Sequence, residues 1–199
     1  MKALTAVLLV GCACATARVP RIGEPPPVVP DAAVESAYQA QIERVSARGA
    51  VYDGLDTRVF VAATVQTPAF VEARVRRSGS FKALPAAEVE ANLASEQARL
   101  SDMVEVVFGV HCNEPKFDDF DKPSSIWRLT LSSGAQELAP REVKRMGRAS
   151  LDLRSIYPYL DTFWVAYVAR FPRPAEEPGA YQLRIASSLG KAELELHTR

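Results

Sequence analysis

The sequence predicts an α+β fold that is mainly β: an antiparallel, immunoglobulin-like β-sandwich with two or three flanking helices from the N-terminal half. After residue 103, apolar residues recur at every second position in short segments separated by Gly or Pro, and the helix–strand alternation of a parallel sheet is absent. Between residues 31 and 101 the apolar spacing is mostly helical. The helices should therefore pack at an edge or across one open face of the sheets.

The first predicted helix begins at Asp31 and ends by Gly49. Asp31 is a favourable N-cap residue, because its side chain can accept a hydrogen bond from a backbone N–H of the first turn. Tyr38 and Ile42 follow one helical turn apart, so they share an apolar face. Glycine often follows the last residue of a helix, which makes Gly49 a suitable stop.

A buried strand and two more helices are predicted before residue 101. Residues 55–66 are rich in β-branched residues and apolar on both faces, as expected of a strand inside a sheet. Thr67 and Pro68 then supply an N-cap and a proline for the first helical turn. Pro85 begins another helix, whose apolar residues fall on one side and whose charged residues fall elsewhere.

The C-terminal half is predicted to form antiparallel strands. Gly134 and the Leu189-Gly190 pair supply turns, and Pro140 interrupts pairing before Val143. The segment 162–171 is apolar on both faces apart from one arginine, which is typical of a central strand. The other segments with alternating polarity are residues 103–112, 127–131, 181–185 and 191–196.

The charges of the chain balance, with 24 Lys plus Arg and 24 Asp plus Glu among 199 residues. A neutral chain has no long-range field to attract nucleic acid, so we expect no nucleic-acid partner. The three cysteines are too few for a disulfide scaffold, and their spacing does not match a structural zinc site. A disulfide between Cys14 and Cys112 stays open as an alternative. No cofactor is predicted.

The N-terminus has the order of a secretory leader. Lys2 precedes an apolar run over residues 3–10, which is too short to span a bilayer as a helix. The segment Leu9-Val10-Gly11-Cys12 resembles the lipobox of bacterial lipoproteins. The resemblance implies cleavage of a signal peptide, residues 1–11, and diacylglyceryl modification of the Cys12 thiol. The alternative is a buried N-terminal strand that contains a free cysteine.

Residues 12–30 are predicted to be a lipid-anchored spacer. Five prolines within residues 18–30 exclude a helix or a central strand and favour an extended chain. A proline-rich ligand for an aromatic groove is the alternative. Residues 31–199 should then form a single globular domain, with a strand and helices in residues 31–101 and the main sandwich in residues 102–199.

The anchor also predicts a location. Acyl chains on Cys12 hold a protein on a membrane without a transmembrane helix. Among Gram-negative lipoproteins an Asp after the lipidated cysteine commonly signals inner-membrane retention, and this chain has Ala13 there. The resemblance therefore implies the cell envelope, with the outer membrane favoured, and a membrane contact through the lipid.

Residues 113–123 have the highest local density of candidate metal ligands. Calcium takes roughly six to eight oxygen ligands, which a loop dense in carboxylates can supply, although this spacing differs from an EF-hand. The alternative is a solvated loop whose Phe117 and Phe120 enter the core. The candidate ligands are Glu114, Asp118, Asp119 and Asp121.

Aromatic residues cluster in residues 157–164, before the predicted central strand. If exposed, such a cluster can serve as a sugar platform or as a hot spot for a protein partner. The alternative is internal packing at a corner of the sandwich. The candidate interaction residues are Tyr157, Tyr159 and Trp164.

Two histidines, one cysteine and a basic run remain. His111 and His197 fall on the polar faces of their strands, so they could share a metal only if those strands paired. Cys112 continues an apolar face and is interpreted as a buried thiol. The basic run 74–77 could face phosphate or lipid headgroups, but neighbouring acids favour a solvated, partly paired surface.

These observations predict a non-enzymatic, membrane-anchored envelope lipoprotein that serves a protein partner as a scaffold, assembly or accessory module. The sequence contains no GxSxG, P-loop, GxGxxG or HExxH pattern. The alternative is a module that binds Ca²⁺ or a glycan through residues 113–123 and 157–164. A third hypothesis, a hydrolase, requires His111 or His197 in a cleft with an acid and a nucleophile.

Overall fold

A computed structural model describes residues 32–198 of the chain. The predicted signal peptide, Cys12, Cys14, the spacer and the Asp31 cap lie outside these residues. In chain order the described elements are α1 (Ala32–Arg44), β1 (Ser46–Asp53), β2 (Asp56–Val65), α2 (Pro68–Phe81), α3 (Ala86–Leu100), β3 (Met103–Cys112), a short 3-10 helix (Pro115–Phe117), β4 (Arg128–Ser133), β5 (Gln136–Leu138), β6 (Glu142–Arg148), α4 (Leu151–Ile156), β7 (Val165–Pro172), β8 (Ala180–Ser187) and β9 (Gly190–His197).

The strands form two antiparallel sheets. The five-stranded sheet has the order β1-β2-β3-β7-β6, and the four-stranded sheet has the order β5-β4-β8-β9. The prediction of a mixed α+β fold that is mainly β is confirmed. Three of the described helices precede β3, and α4 lies between β6 and β7.

Side chains from both sheets belong to one hydrophobic core. Phe108 and Tyr167 of the five-stranded sheet and Leu183 of the four-stranded sheet are completely buried. The two sheets also approach each other at β1 and β9, since a Cβ placed on Gly49 would lie 3.6 Å from the Ala192 Cβ. The alternating apolar pattern therefore marks the faces that bury the core.

Phe120 attaches the loop between β3 and β4 to this core. Its ring stacks on Trp127 at a centroid distance of 5.2 Å and lies 5.6 Å from the ring of Phe108 and 5.4 Å from that of Tyr167. The alternative reading of residues 113–123, in which Phe120 enters the core, is confirmed for this residue. Such aromatic contacts add to the free energy gained from burial alone.

Helices and the segment 157–164 cover the opposite face of the five-stranded sheet. On this face the Thr64 hydroxyl of β2 lies 2.7 Å from the Tyr159 hydroxyl. Gly109 of β3 lies beneath Leu160 and Trp164, and a Cβ at this position would overlap the Leu160 side chain. The missing side chain of Gly109 thus lets the segment approach the sheet closely.

Helix α1 is attached to α2 and α4 by polar contacts. The Tyr38 hydroxyl donates a hydrogen bond of 2.5 Å to the Ile156 carbonyl oxygen. The Arg77 guanidinium donates to the Glu35 carboxylate at 2.7 Å and to the Ser155 carbonyl oxygen, and it lies 4.3 Å from the centre of the Tyr38 ring. Burial acts to raise the pKa of Glu35, but hydrogen bonds from Arg77 and Gln39 outweigh it, and the pKa is lowered.

A chain of alternating charges connects the helices to the sheet. Arg74 of α2 and Arg99 of α3 both donate to the Glu96 carboxylate, each at 2.6 Å. Arg99 also pairs with Glu105 of β3, whose carboxylate accepts a second hydrogen bond of 3.0 Å from Arg170 of β7. Glu105 is 5% exposed, so Arg99 and Arg170 compensate a buried charge.

Several sequence predictions for the helices are confirmed. The Thr67 hydroxyl accepts a hydrogen bond of 3.2 Å from the Phe70 backbone N–H and so caps α2. Helix α3 follows Pro85, and Leu93 and Leu100 are buried on the side that faces α2.

Two local predictions differ from the structure. Gly49 does not end the first helix, because α1 ends at Arg44 and Gly49 lies within β1. The sequence of β1, SARGAVYD, contains few strand-favouring residues, so this strand depends on its pairing with β2. Helix α4 is not among the predicted elements, although Ser150 caps it by accepting a hydrogen bond from the Leu153 backbone N–H.

Candidate functional site

Exposed apolar side chains gather at one end of the five-stranded sheet. At this end β1, β3 and β6 finish while β2 and β7 begin, as their antiparallel registers require. Six of the seven large apolar side chains that are exposed in residues 32–198 lie at or within a few residues of it. We call this group the apolar end: Tyr52, Leu55, Phe60, Met146, Leu151 and Phe163.

Members of the apolar end come from four parts of the chain: the β1–β2 hairpin, β6, α4 and the segment 157–164. Leu55 is fully exposed at the tip of the β1–β2 hairpin, and Phe60 is 43% exposed opposite His111. Leu151 and Phe163 are 70% and 69% exposed. They lie on neighbouring segments, since the nearby Ala149 backbone N–H donates to the Trp164 carbonyl oxygen at 3.0 Å. Apolar exposure concentrated in one region is typical of an interaction surface.

The acidic loop, residues 113–123, begins at the same end of the sheet, but its carboxylates have separate partners. Asp118 accepts hydrogen bonds of 2.6 Å from the Tyr167 hydroxyl and 3.1 Å from Arg145. Asp119 accepts a hydrogen bond of 3.0 Å from the Ser125 hydroxyl. The Asp118 bonds fix the loop against β6 and β7, and the Asp119 bond connects two parts of the same β3–β4 connection, so two of the predicted ligands have structural roles here.

The remaining acids of the loop lie at the surface. Glu114 pairs with Lys116 at 2.8 Å and lies 3.8 Å from Arg58, and its pKa is lowered chiefly by the hydrogen bond from Lys116. Asp121 is exposed. Among residues 32–198, no three His, Cys, Asp or Glu side chains come close enough together to hold a metal ion. The four predicted ligands therefore do not converge on one point.

The predicted interaction aromatics lie mostly inside the protein. Tyr157 is 3% exposed, and its hydroxyl donates to the Gln66 side chain at 3.4 Å, so it cannot contact a partner directly. Tyr159 and Trp164 are half-buried and pack against the core. This corrects the interpretation of Tyr157 as an interaction residue. The alternative, corner packing, describes Tyr157, and the exposed aromatic of the segment is Phe163.

Tyr159 also borders a groove beside α1. The groove has a volume of about 360 Å³, within the range of small-ligand sites. Its lining combines the Tyr159 ring with apolar and polar groups, and the Arg48 guanidinium lies 6.0 Å from the centre of that ring. The remaining lining residues are Gln39, Ile42, Glu43, Ser46, Ala47 and Pro158.

The two histidines lie on strands that do not pair with each other, so the condition for a shared metal site is not met. His111 lies on β3, which pairs with β2 and β7, whereas His197 lies on β9, which pairs with β8. Cys112 packs against the core, and its thiol lies 3.7 Å from the Phe117 carbonyl oxygen. Burial, with a smaller contribution from Asp118 and Asp119, raises the pKa of the Cys112 thiol to about 12.

The basic run 74–77 is paired, as its acidic neighbours indicate. Arg76 donates to Glu72 at 2.9 Å and to Glu90 at 2.8 Å on the exposed surface. Arg74 and Arg77 have acidic partners as well, and Arg77 is 8% exposed rather than solvated. The run therefore connects helices to each other, and it does not form a free basic patch.

Strand β6 is an edge strand whose outer side has no neighbour among the described residues. β7 occupies its inner side, and five of its seven residues are exposed. Glu142 and Arg145 have partners in Arg170 and Asp118, respectively. The sequence cannot show that β6 lies at the edge, because strand order depends on pairing across the sheet.

Comparisons with known proteins provide no functional assignment. No protein-family model matches the chain, and no curated protein matches it. A solved structure described as a novel protein of unknown function from Burkholderia pseudomallei K96243 is similar at a TM-score of 0.42 and 9% sequence identity, covering 83% of this chain and 84% of that chain. None of the helices in residues 32–198 combines the length and apolar character needed to cross a membrane.

Proposed function

We propose that this protein is a non-enzymatic envelope lipoprotein that binds a protein partner through the apolar end and so acts as a scaffold, assembly or accessory module. The observation that carries the proposal is the concentration of exposed apolar side chains at one end of the five-stranded sheet. Burying exposed apolar groups against a partner is the main driving force of protein association. The lipobox-like segment Leu9-Val10-Gly11-Cys12 supports the anchored location.

The architecture we propose for the domain is an immunoglobulin-like sandwich of the two sheets. Their shared core and the approach of Gly49 in β1 to Ala192 and Leu194 in β9 support this arrangement. In a sandwich the connections between strands lie at its two ends, where they can form a contact surface on a rigid frame. The apolar end corresponds to such a position, since the β1–β2 hairpin and the segment before β7 both contribute to it.

The anchoring step is tested by mass spectrometry of the native protein. We expect the mature chain to begin at Cys12 and to carry the added mass of a diacylglyceryl group. A native chain that begins at Met1 without modification would contradict the lipoprotein assignment. Subcellular fractionation should place the protein with the outer membrane, where the host has one.

The partner-binding step is tested by capture from solubilised envelopes. The double variant Leu151→Ser/Phe163→Ser removes two large members of the apolar end. Leu151 belongs to α4, and Phe163 belongs to the segment 157–164. We expect a protein that is reproducibly captured by the wild type to be lost from this variant, because each exposed anchor contributes to a desolvated contact. Asp102→Ser is the control, since Asp102 is exposed directly before β3, at the opposite end of the five-stranded sheet. Equal capture by all three proteins would refute a role for the apolar end.

A glycan-binding module is the second candidate, and the groove beside α1 is the observation that favours it. The Tyr159 ring can stack against the apolar face of a sugar, while the planar polar groups of Gln39, Glu43 and Arg48 can bind hydroxyl groups. Calorimetry of the wild type and of an Arg48→Ala variant with cell-wall glycans tests it. Heat of binding that disappears in the variant would support the module, and the absence of heat and of any thermal stabilisation would remove it.

A further inference from the structure

The two edges of the five-stranded sheet differ in their surroundings. At the β1 edge, β9 lies close by, since a Cβ on Gly190 would be 2.8 Å from the Val51 side chain. At the other edge, no described segment pairs with the outer side of β6. An edge strand presents backbone N–H and C=O groups that can pair with an added extended chain. The β6 edge therefore has the capacity to accept one more strand.

The side chains of the β6 edge specify the charge of such a chain. Arg141, Lys144 and Arg148 are exposed, and none of them forms an ion pair with another residue of the described part of the chain. The acid of this segment, Glu142, is held by Arg170. The β6 edge thus has a local excess of positive charge within a chain whose net charge is zero. Complementary charge determines which partner a surface accepts.

We propose that the β6 edge binds an extended acidic segment of a protein partner as an added strand. The added strand pairs with the regular part of β6, Glu142 to Arg145, where the register with β7 is unbroken. Carboxylates of the segment lie beside Lys144, and Arg148 attracts further acidic residues beyond the register shift. Backbone hydrogen bonds supply affinity in this mode of recognition, and the side chains supply specificity.

The same charges oppose pairing of β6 with a second copy of the chain. Two copies joined at this edge would bring Arg141, Lys144 and Arg148 of one copy close to the same residues of the other. Like charges in adjacent strands are destabilising. The register shift between Arg145 and Gly147 further limits the length over which two β6 strands could pair. An acidic segment of another protein carries no like charge, and it can pair with Glu142 to Arg145 without reaching the register shift.

This inference rests on the proposed function, because it names the chemistry of the partner that an interaction module would bind. The probe is a labelled, end-capped heptapeptide of alternating Glu and Val, titrated against the full chain in detergent and followed by fluorescence anisotropy at low ionic strength. A second peptide of the same sequence carries N-methyl groups on alternate residues, which removes the N–H donors of one edge and keeps the charge. A third peptide has Gln in place of Glu.

We expect saturable binding of the first peptide and at least about threefold weaker binding of the other two. Lys144→Glu should weaken binding of the first peptide to a similar extent. The matched control Lys82→Glu, which changes an exposed lysine at the end of α2, should leave binding unchanged. Hydrogen exchange should show added protection of β6 amides in the complex. Thermal unfolding of both variants verifies that they remain folded.

The inference is overturned if the N-methylated peptide binds as well as the first, because binding would then require only charge. It is also overturned if Lys82→Glu and Lys144→Glu weaken binding equally, or if no peptide binds. The proposed function has a separate readout. Capture of an envelope protein that is lost in Leu151→Ser/Phe163→Ser but kept in Lys144→Glu would leave the proposed function intact and remove the β6 edge from it.

Discussion

At the scale of single residues, Gly109 decides how closely the segment 157–164 approaches the five-stranded sheet. Gly109 lies in the middle of an interior strand, where a glycine usually weakens the sheet. Its position is explained by Leu160 and Trp164, which occupy the space that a side chain would need. Neighbouring Ala62 of β2 and Ala166 of β7 are also small and completely buried. Small residues in three adjacent strands thus form the floor of this contact.

Gly109→Ala should therefore destabilise the protein by about 1–3 kcal/mol, because the new methyl group overlaps the Leu160 side chain. Denaturant unfolding measures the change. Gly179→Ala is the matched control, since a Cβ there meets no atom within 4 Å, and it should change stability by less than about 0.5 kcal/mol. The double variant Gly109→Ala/Leu160→Ala should lose less stability than the sum of its single variants. Strict additivity would contradict the overlap.

The Cys112 thiol should be unreactive in the folded protein. Burial raises its pKa to about 12, so at pH 8 the fraction of reactive thiolate is far smaller than for an unfolded cysteine. In a Cys12→Ser/Cys14→Ser background, we expect alkylation of Cys112 to be at least about 100-fold slower in the native state than in denaturant. The native rate should rise as the pH increases towards 12. Similar rates in both states at pH 8 would contradict this prediction.

At the scale of secondary-structure elements, charged groups attach the helices to the sheet. Helices α2 and α3 share a small apolar cluster of their own, separate from the main core. The connection from this pair to β3 includes the Glu105 carboxylate, which accepts hydrogen bonds from Arg99 of α3 and Arg170 of β7. Removing one member of a buried ion pair leaves its partners without compensation, which costs more free energy than the intact pair contributes.

Glu105→Gln should destabilise the protein by about 1–3 kcal/mol, because Arg99 and Arg170 lose a buried counter-charge, although Arg99 keeps Glu96 and Arg170 keeps Glu142. Glu142→Gln is the control at the surface end of the same network, where the Glu142 side chain is 50% exposed, and should cost less than about 1 kcal/mol. Thermal and denaturant unfolding compare the two variants. Equal effects of the two substitutions would show that the burial of Glu105 does not matter.

The Glu35–Arg77 pair attaches α1 and predicts a dependence on pH. The pKa of Glu35 is lowered in the folded state, so the stabilising contribution is present above the ordinary value of 4.5 and is lost as the pH falls below it. We expect the free energy of unfolding to decrease below about pH 4.5 and the decrease to be smaller in Glu35→Gln. Glu88→Gln, an exposed position on α3, should retain the full decrease. An unchanged pH profile in Glu35→Gln would contradict this contribution.

At the scale of the whole molecule, the proposals combine a lipid anchor, a spacer and a domain with two contact surfaces. A spacer of extended proline-rich chain covers about 3 Å per residue, which would hold the domain some tens of Å from the membrane. The apolar end and the β6 edge adjoin each other, since β6 finishes at the end where Leu151 and Phe163 lie. A single partner could therefore pair with β6 and continue onto the apolar end.

Cys12→Ser should move the protein from the membrane fraction to the soluble fraction and abolish incorporation of labelled fatty acid. Acyl chains supply the membrane affinity in the proposed arrangement, at about 0.8 kcal/mol for each buried CH₂ group. Cys14→Ser is the matched control and should remain in the membrane fraction. Membrane association that survives Cys12→Ser would show that another part of the molecule holds the protein on the membrane.

Much of the fold follows from the sequence by itself, because helices and strands depend on local patterns. The period-two alternation in β3, β8 and β9 and the Thr67-Pro68 start of α2 specify elements whose bounds the structure confirms closely. Interactions between residues close together in the chain are sufficient to specify these elements, because alternating burial and helix caps involve only such residues. The entry of Phe120 into the core could likewise be anticipated from an aromatic residue in a polar loop.

The tertiary structure alone decided which groups meet and which surfaces stay free. β1 forms from a weakly strand-favouring sequence because β2 pairs with it, and the Tyr159 hydroxyl meets Thr64, 95 positions away in the chain. The sequence could not show that Tyr157 is buried while Phe163 is exposed, or that β6 lies at an edge. These features depend on strand order and register. Both arise from contacts between distant residues, which a local pattern does not specify.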